Sequence, residues 1–135
     1  HTGEFIRLEE QLLSTSSTIS ITESYHIVNK LDGIIIPAHI NRKTNGLIEI
    51  LGFVPSDIPI LALEISRHIT PKMAYEKFPQ IKNYPLIQNG DVHRLEEFIG
   101  TTLFNIKSPT IDEIRKAILG IDGRSIKINP NLHKL

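Results

Sequence analysis

Gly33-Ile34-Ile35-Ile36-Pro37-Ala38-His39 is the stretch on which the fold turns. Three consecutive β-branched residues favour extended backbone, and an unbroken apolar run is expected of a strand buried on both faces. Upstream, Ser20 with Glu23 three residues later forms a capping-box signal, and Ile21, Tyr25, Val28 and Leu31 make an apolar stripe at helical spacing that stops at Gly33. Downstream, Thr44 to Leu51 reads as a short helix despite Gly46, and Gly52, Pro55, Asp57 and Pro59 mark turns. A second buried strand is expected over Leu61 to Ile65, and Thr70-Pro71 supplies an N-cap and first-turn proline for a helix reaching about Phe78.

The same alternation continues to the end of the chain. Leu86 and Ile87 read as a third strand, Arg94 to Ile99 as one or two helical turns, and Thr101 to Ile106 as a fourth strand. Ser108-Pro109 is expected to cap an amphipathic helix with the stripe Ile111, Ile114, Ile118 and Ile121, and Ser125 to Ile128 reads as a last strand. Strands alternating with helices argue for an α/β fold with a mainly parallel sheet or barrel. Residues 1–19 read as a connector or short helix, 20–128 as the folded part and 129–135 as a tail. Because the chain begins at His1 without a methionine, it is read as a processed, trimmed or subcloned piece whose start need not be a domain boundary.

Composition narrows the chemistry. The 135 residues are 40% hydrophobic and 22% charged, enough to bury a core. Fifteen basic residues balance fifteen acidic ones, so no overall field holds a polyanion. The chain has no cysteine, which excludes thiolate ligands and nucleophiles and leaves imidazole and carboxylate as metal donors. Apolar runs are too short to span a bilayer and no signal-like start is present, so a cytoplasmic location without membrane partners is expected. There is no phosphate-binding glycine loop, no Gly-x-Ser-x-Gly elbow and no His-Glu-x-x-His.

In α/β folds ligands collect at the C-terminal ends of the strands. Two strand ends here deliver imidazole and carboxylate groups: Ile34–Ile36 leads to His39, and Leu86–Ile87 leads to Asp91 and His93. In extended backbone the i, i+2 spacing of Asp91-Val92-His93 sends both donors to one face and Val92 to the other, with Gly90 allowing a tight turn. Asp-x-His is common, however, and a lone histidine after Pro-Ala is ordinarily bonded to a carbonyl. Spacing alone therefore leaves a metal role and a structural role both open. Arg42 and Lys43 after His39, and Arg67 and His68 after the second strand, could meet a phosphate or simply face solvent. His26 lies on the polar side of its helix and His133 in the tail.

Four segments in order, Gly33-Ile-Ile-Ile-Pro-Ala-His39, Leu51-Gly-Phe-Val-Pro55, Leu63-Glu-Ile-Ser66 and Tyr84-Pro-Leu-Ile-Gln-Asn-Gly-Asp-Val-His93, followed by Leu95-Glu96 and Gly100, resemble the later motifs of the PHP (polymerase and histidinol phosphatase) superfamily of metal-dependent phosphoesterases. The resemblance covers about Ser20 to Ile121. It implies the C-terminal part of a distorted seven-stranded, TIM-like β/α barrel that holds zinc, manganese or iron ions at its strand ends. It also implies metal ligands His39, Asp91 and His93, and for Glu64 a role in supporting those ligands or the structure, against which stands a plain ion pair with a neighbouring cation.

The chain departs from the family pattern in having no His-x-His, which the complete site takes from its first strand. The resemblance thus implies a phosphoester hydrolase whose site is incomplete in this chain, with metal only partly bound. A partial barrel exposes strand edges, so association with the missing N-terminal half, or homo-oligomerisation, is expected. Nucleic acid enters only as one substrate among phosphomonoesters and nucleotides. The alternative is a non-catalytic PHP-like module for protein association or regulation, and a third reading is an unrelated α/β domain.

Overall fold

A computed structural model describes residue 10 and residues 17–98 and 100–129. The readings made for residues 1–9, 11–16, 99 and 130–135, including His1, Ile99 and His133, lie outside the described residues. The chain forms a mixed α/β arrangement: helix α1 (Ile21–Lys30), helix α2 (Leu47–Leu51), strand β1 (Leu63–Ile65), helix α3 (Pro71–Lys77), strand β2 (Leu86–Gln88), strand β3 (Thr102–Asn105), helix α4 (Ile111–Leu119) and strand β4 (Ser125–Ile128). Short 3-10 turns occupy Pro79–Ile81 and Leu95–Glu97.

The helices start where short polar side chains satisfy their free amides. Ser20 and Glu23 form the expected capping box of α1, and Thr70 Oγ1 accepts from Met73 N ahead of Pro71. At α4 the cap is Thr110, which accepts from Glu113 N, rather than Ser108-Pro109; a proline at the cap could not offer the side-chain acceptor that Thr110 does. Helix α2 is shorter than expected, because residues 40–46 form tight turns before Gly46 opens it. Although α1 carries the apolar stripe, none of its residues is fully buried, and Leu31 at its end is 76% exposed. Tyr25 is its main anchor on the core.

Strands β1 and β2 pair in parallel, with Leu63 opposite Leu86 and Ile65 opposite Gln88. Alternation along β1 splits the core in two. Leu63 and Ile65 join Ile40, Ile48, Ile58, Ile60, Ile81 and Leu86 on one face, and Ala62 joins Ile87 and Ile118 on the other. Both faces are covered, as the sequence predicts. Two expectations are corrected. The Ile34–Ile36 run is not a ladder strand. Its neighbours bond to β1 just beyond it, Glu64 N to Pro37 O and Ile40 N to Glu64 O, and Pro37 and Pro59, which have no N–H, cannot extend the ladder. Ile34 and Ile36 still pack on the second cluster. Strands β3 and β4, moreover, are antiparallel instead of parallel. The described strands form two two-stranded sheets.

Helix α4 is tied to β4 by a charge cluster. Glu113, with its side chain 8% exposed, accepts from Arg124 Nε at 2.9 Å and Nη2 at 3.0 Å, from Lys107 N at 2.8 Å and from Lys116 Nζ at 3.4 Å. The fork-to-carboxylate bond to Arg124, and then the Lys107 amide, hold the Glu113 carboxyl down at about 2 against its ordinary 4.5. A folded-state value below the unfolded one means the cluster stabilises the fold fully above about pH 4.5 and loses that contribution as pH falls toward 2. Acid unfolding followed by circular dichroism should therefore show wild type losing stability relative to Glu113→Gln across that window, with the difference between the two shrinking as the pH drops.

A candidate metal- and phosphate-binding cleft

The ends of β1 and β2 and the turns after Ile36 converge on one cleft of about 380 Å³. Seven of the eight residues expected there line it: His39, Arg42, Glu64, Arg67, His68, Asp91 and His93. Lys43 does not; it is exposed on the turn beyond. His26 is exposed on α1, its ring edge-on to Tyr25 at 5.6 Å between centroids.

Each side chain is placed by a local device. His39 and Asp91 both have left-handed backbone, with φ of 32° and 52°. Histidine and aspartate tolerate this region better than most residues, but it still costs on the order of 1 kcal/mol. Strain in such residues clusters at functional sites. Asp91 and His93 thus reach the cleft through a turn at Asp91, and the expected extended i, i+2 geometry is corrected. Gly90 is buried and the positive φ falls one residue later. Gly46 is needed for space: a Cβ there would stand 2.1 Å from Arg42 O and 3.0 Å from Ile40 O. Gly46→Ala should therefore shift the turn carrying Arg42 and destabilise the chain by about 1–3 kcal/mol in urea denaturation, the usual cost of overpacking.

Several positioning residues were not singled out in the sequence. Gln88, at the end of β2, donates through Nε2 to Ser66 O at 2.9 Å and Ile69 O at 2.7 Å, which fixes the loop carrying Arg67 and His68. Thr101 Oγ1 donates to Gln88 O at 2.6 Å. Asn41 joins the same loop by accepting from Ser66 N at 2.8 Å and donating to Ser66 Oγ at 2.9 Å. Glu64, which the sequence did single out, accepts through Oε1 from His39 N at 3.4 Å and through Oε2 from Asn89 Nδ2 at 3.2 Å, so its carboxylate links the two ligand-bearing turns through neutral donors. Glu97 accepts from His93 N at 2.6 Å and Arg94 N at 2.9 Å. The His93 amide, opposed by desolvation, is the main cause of its lowered pKa, and the Arg94 amide and then the charges of His93 and Arg67 add to it. Only the i, i+4 spacing of His93 and Glu97 could have signalled such a link in the sequence.

The electrostatics centre on Asp91. Its carboxylate is paired with Arg42 through Oδ2, and Oδ1 lies 3.5 Å from His93 Nε2. Desolvation raises the Asp91 pKa, but the Arg42 hydrogen bond and the charges of His39, Arg42 and His93 outweigh it and leave the group lowered. His39 Nδ1 is buried and has no hydrogen-bond partner. An orphaned imidazole nitrogen is costly unless something completes it. Two imidazoles and a carboxylate are the donor types that a divalent transition ion takes, so the residues fit such an ion chemically. Among the described residues, no three histidine or carboxylate groups are already gathered closely enough to hold one.

No family model and no curated protein matches the chain. Solved structures do. The novel lesion-specific endonuclease PfuEndoQ from Pyrococcus furiosus is 30% identical, with a TM-score of 0.65, over 77% of this chain and 27% of that one. Endonuclease Q in complex with a 27-mer duplex substrate carrying an abasic lesion at its active site is 28% identical, with a TM-score of 0.62, over 76% of this chain and 27% of that one. The chain thus spans about a quarter of the length of these proteins. Endonuclease Q belongs to the PHP superfamily, and the likeness supports a PHP-like fold for the described part.

Proposed function

We propose that the cleft is the phosphate-binding side of a PHP-type phosphoester hydrolase that acts on nucleic acid, with His39, Asp91 and His93 as ligands of a divalent ion. The observation that carries this reading is that these three side chains line one cleft together with Arg42, Arg67 and His68. Arg67 makes no direct ion pair among the described residues and is exposed, so its guanidinium is available to a phosphate oxygen. Arg42, which lines the same cleft, supplies a second guanidinium there, held in an exposed pair with Asp91. When bound, zinc, manganese or iron supplies Lewis-acid polarisation of the phosphoryl group. The chain's own residues hold and orient: Glu64 fixes the two ligand turns, and Gln88 fixes the loop that presents Arg67 and His68.

The likeness to an endonuclease bound to duplex DNA favours a nucleic-acid phosphodiester over a small phosphomonoester. Three ligands and no His-x-His make the site one side of a complete centre, so turnover belongs to the full gene product, in which the N-terminal half of the domain or a second copy supplies the rest. A strand-cleavage assay with manganese on a duplex carrying an abasic site tests this. The full gene product should nick the duplex and this chain alone should not. Equal nicking by both would sink the claim of incompleteness. A full product that neither binds nor nicks would favour a non-catalytic association module, a reading supported by the lack of a gathered three-donor group among the described residues and by Leu95 and Phe98, 82% and 72% exposed on either side of Glu97 in sequence.

A further inference from the structure

We infer that Arg42 is an exchange residue: it holds Asp91 when no cation is bound and turns to the substrate phosphate once Asp91 has taken up a cation. The inference rests on the metal-binding reading above. Three observations carry it. The Arg42 guanidinium occupies Oδ2 of Asp91, the one carboxylate among the proposed ligands, and so stands in for a cation there. His39 Nδ1 is buried and unpartnered, so one donor of the proposed ligand set is unsatisfied in the arrangement that pairs Arg42 with Asp91. The pair is also partly solvated, with side chains 46% and 41% exposed, so it can open without leaving a charge stranded in apolar surroundings.

Arg42 and a cation compete for the same oxygen, whereas Arg42 and a phosphate attract each other. Cation binding therefore releases a guanidinium into a cleft whose other free guanidinium, Arg67, faces the same space. Reciprocity then requires that phosphate raise cation affinity by the same factor that the cation raises phosphate affinity. The device keeps the cleft from binding phosphate through Arg42 before the cation is in place.

Isothermal titration of the whole chain with manganese, with and without dimethyl phosphate, tests the exchange. Arg42→Gln should bind manganese about two- to fivefold more tightly than wild type, the range expected for releasing one exposed ion pair. Dimethyl phosphate should raise manganese affinity by a larger factor in wild type than in Arg42→Gln, since direct contact between ion and phosphate persists in both. Arg67→Gln removes a charge from the same cleft without touching Asp91 and should tighten manganese less. An unchanged or weaker affinity in Arg42→Gln, or equal tightening in Arg67→Gln, overturns the exchange and leaves the metal site standing. Absence of manganese binding in every variant overturns both.

Discussion

Asp91→Asn is expected to lower manganese affinity by at least about tenfold, the lower end of what removing a group from a metal site costs, while barely moving the melting temperature. Asparagine tolerates the left-handed φ of 52° as aspartate does, so the turn into the cleft is kept. What disappears is the charge, and with it the only carboxylate among the proposed ligands. The broken pair with Arg42 is half exposed and worth about 0–1 kcal/mol to the fold. Titration calorimetry gives the affinity and differential scanning calorimetry the stability. A variant that binds manganese like wild type would remove Asp91 from the site, and one that melts far below wild type would make its role structural.

Leu63→Ala should be among the most destabilising single changes in the chain, at about 2–5 kcal/mol. Leu63 is fully buried at the start of β1, opposite Leu86, and packs in the larger of the two core clusters. The cost combines lost apolar transfer with a cavity that a short parallel strand pair can hardly close. At roughly 4 °C for each kcal/mol, the melting temperature should fall by about 8–20 °C. The neighbouring Glu64 joins the His39 and Asn89 turns, so loosening β1 should also weaken manganese binding in whatever fraction remains folded. Calorimetry that finds a loss under about 1 kcal/mol would mean that this face of β1 is not the centre of the core.

Much of this arrangement is legible in the sequence because local chemistry fixes it. Ser20 with Glu23, Thr70 with Pro71, and the apolar runs read as strands at Leu61 to Ile65 and Leu86-Ile87 depend on residues near one another in the chain. Strand pairing is less legible, since direction is decided between segments far apart. The antiparallel β3–β4 pair and the unladdered Ile34–Ile36 run are the two results. For the site, seven of the side chains named from residue type and position line one cleft. The left-handed turn at Asp91, the Asn41 and Gln88 clamps and the pairing of Arg42 with Asp91 are three-dimensional facts with no sequence period to announce them.

In the proposed centre His39, Asp91 and His93 bind one divalent ion. Electron spin-echo envelope modulation of the manganese-loaded chain reads this directly, because imidazole nitrogen bonded to the ion modulates the echo. The predicted spectrum carries the modulation of two imidazoles, of which one is lost in His39→Ala and the other in His93→Ala. Bound manganese without nitrogen modulation, or with modulation that both substitutions leave untouched, would contradict it.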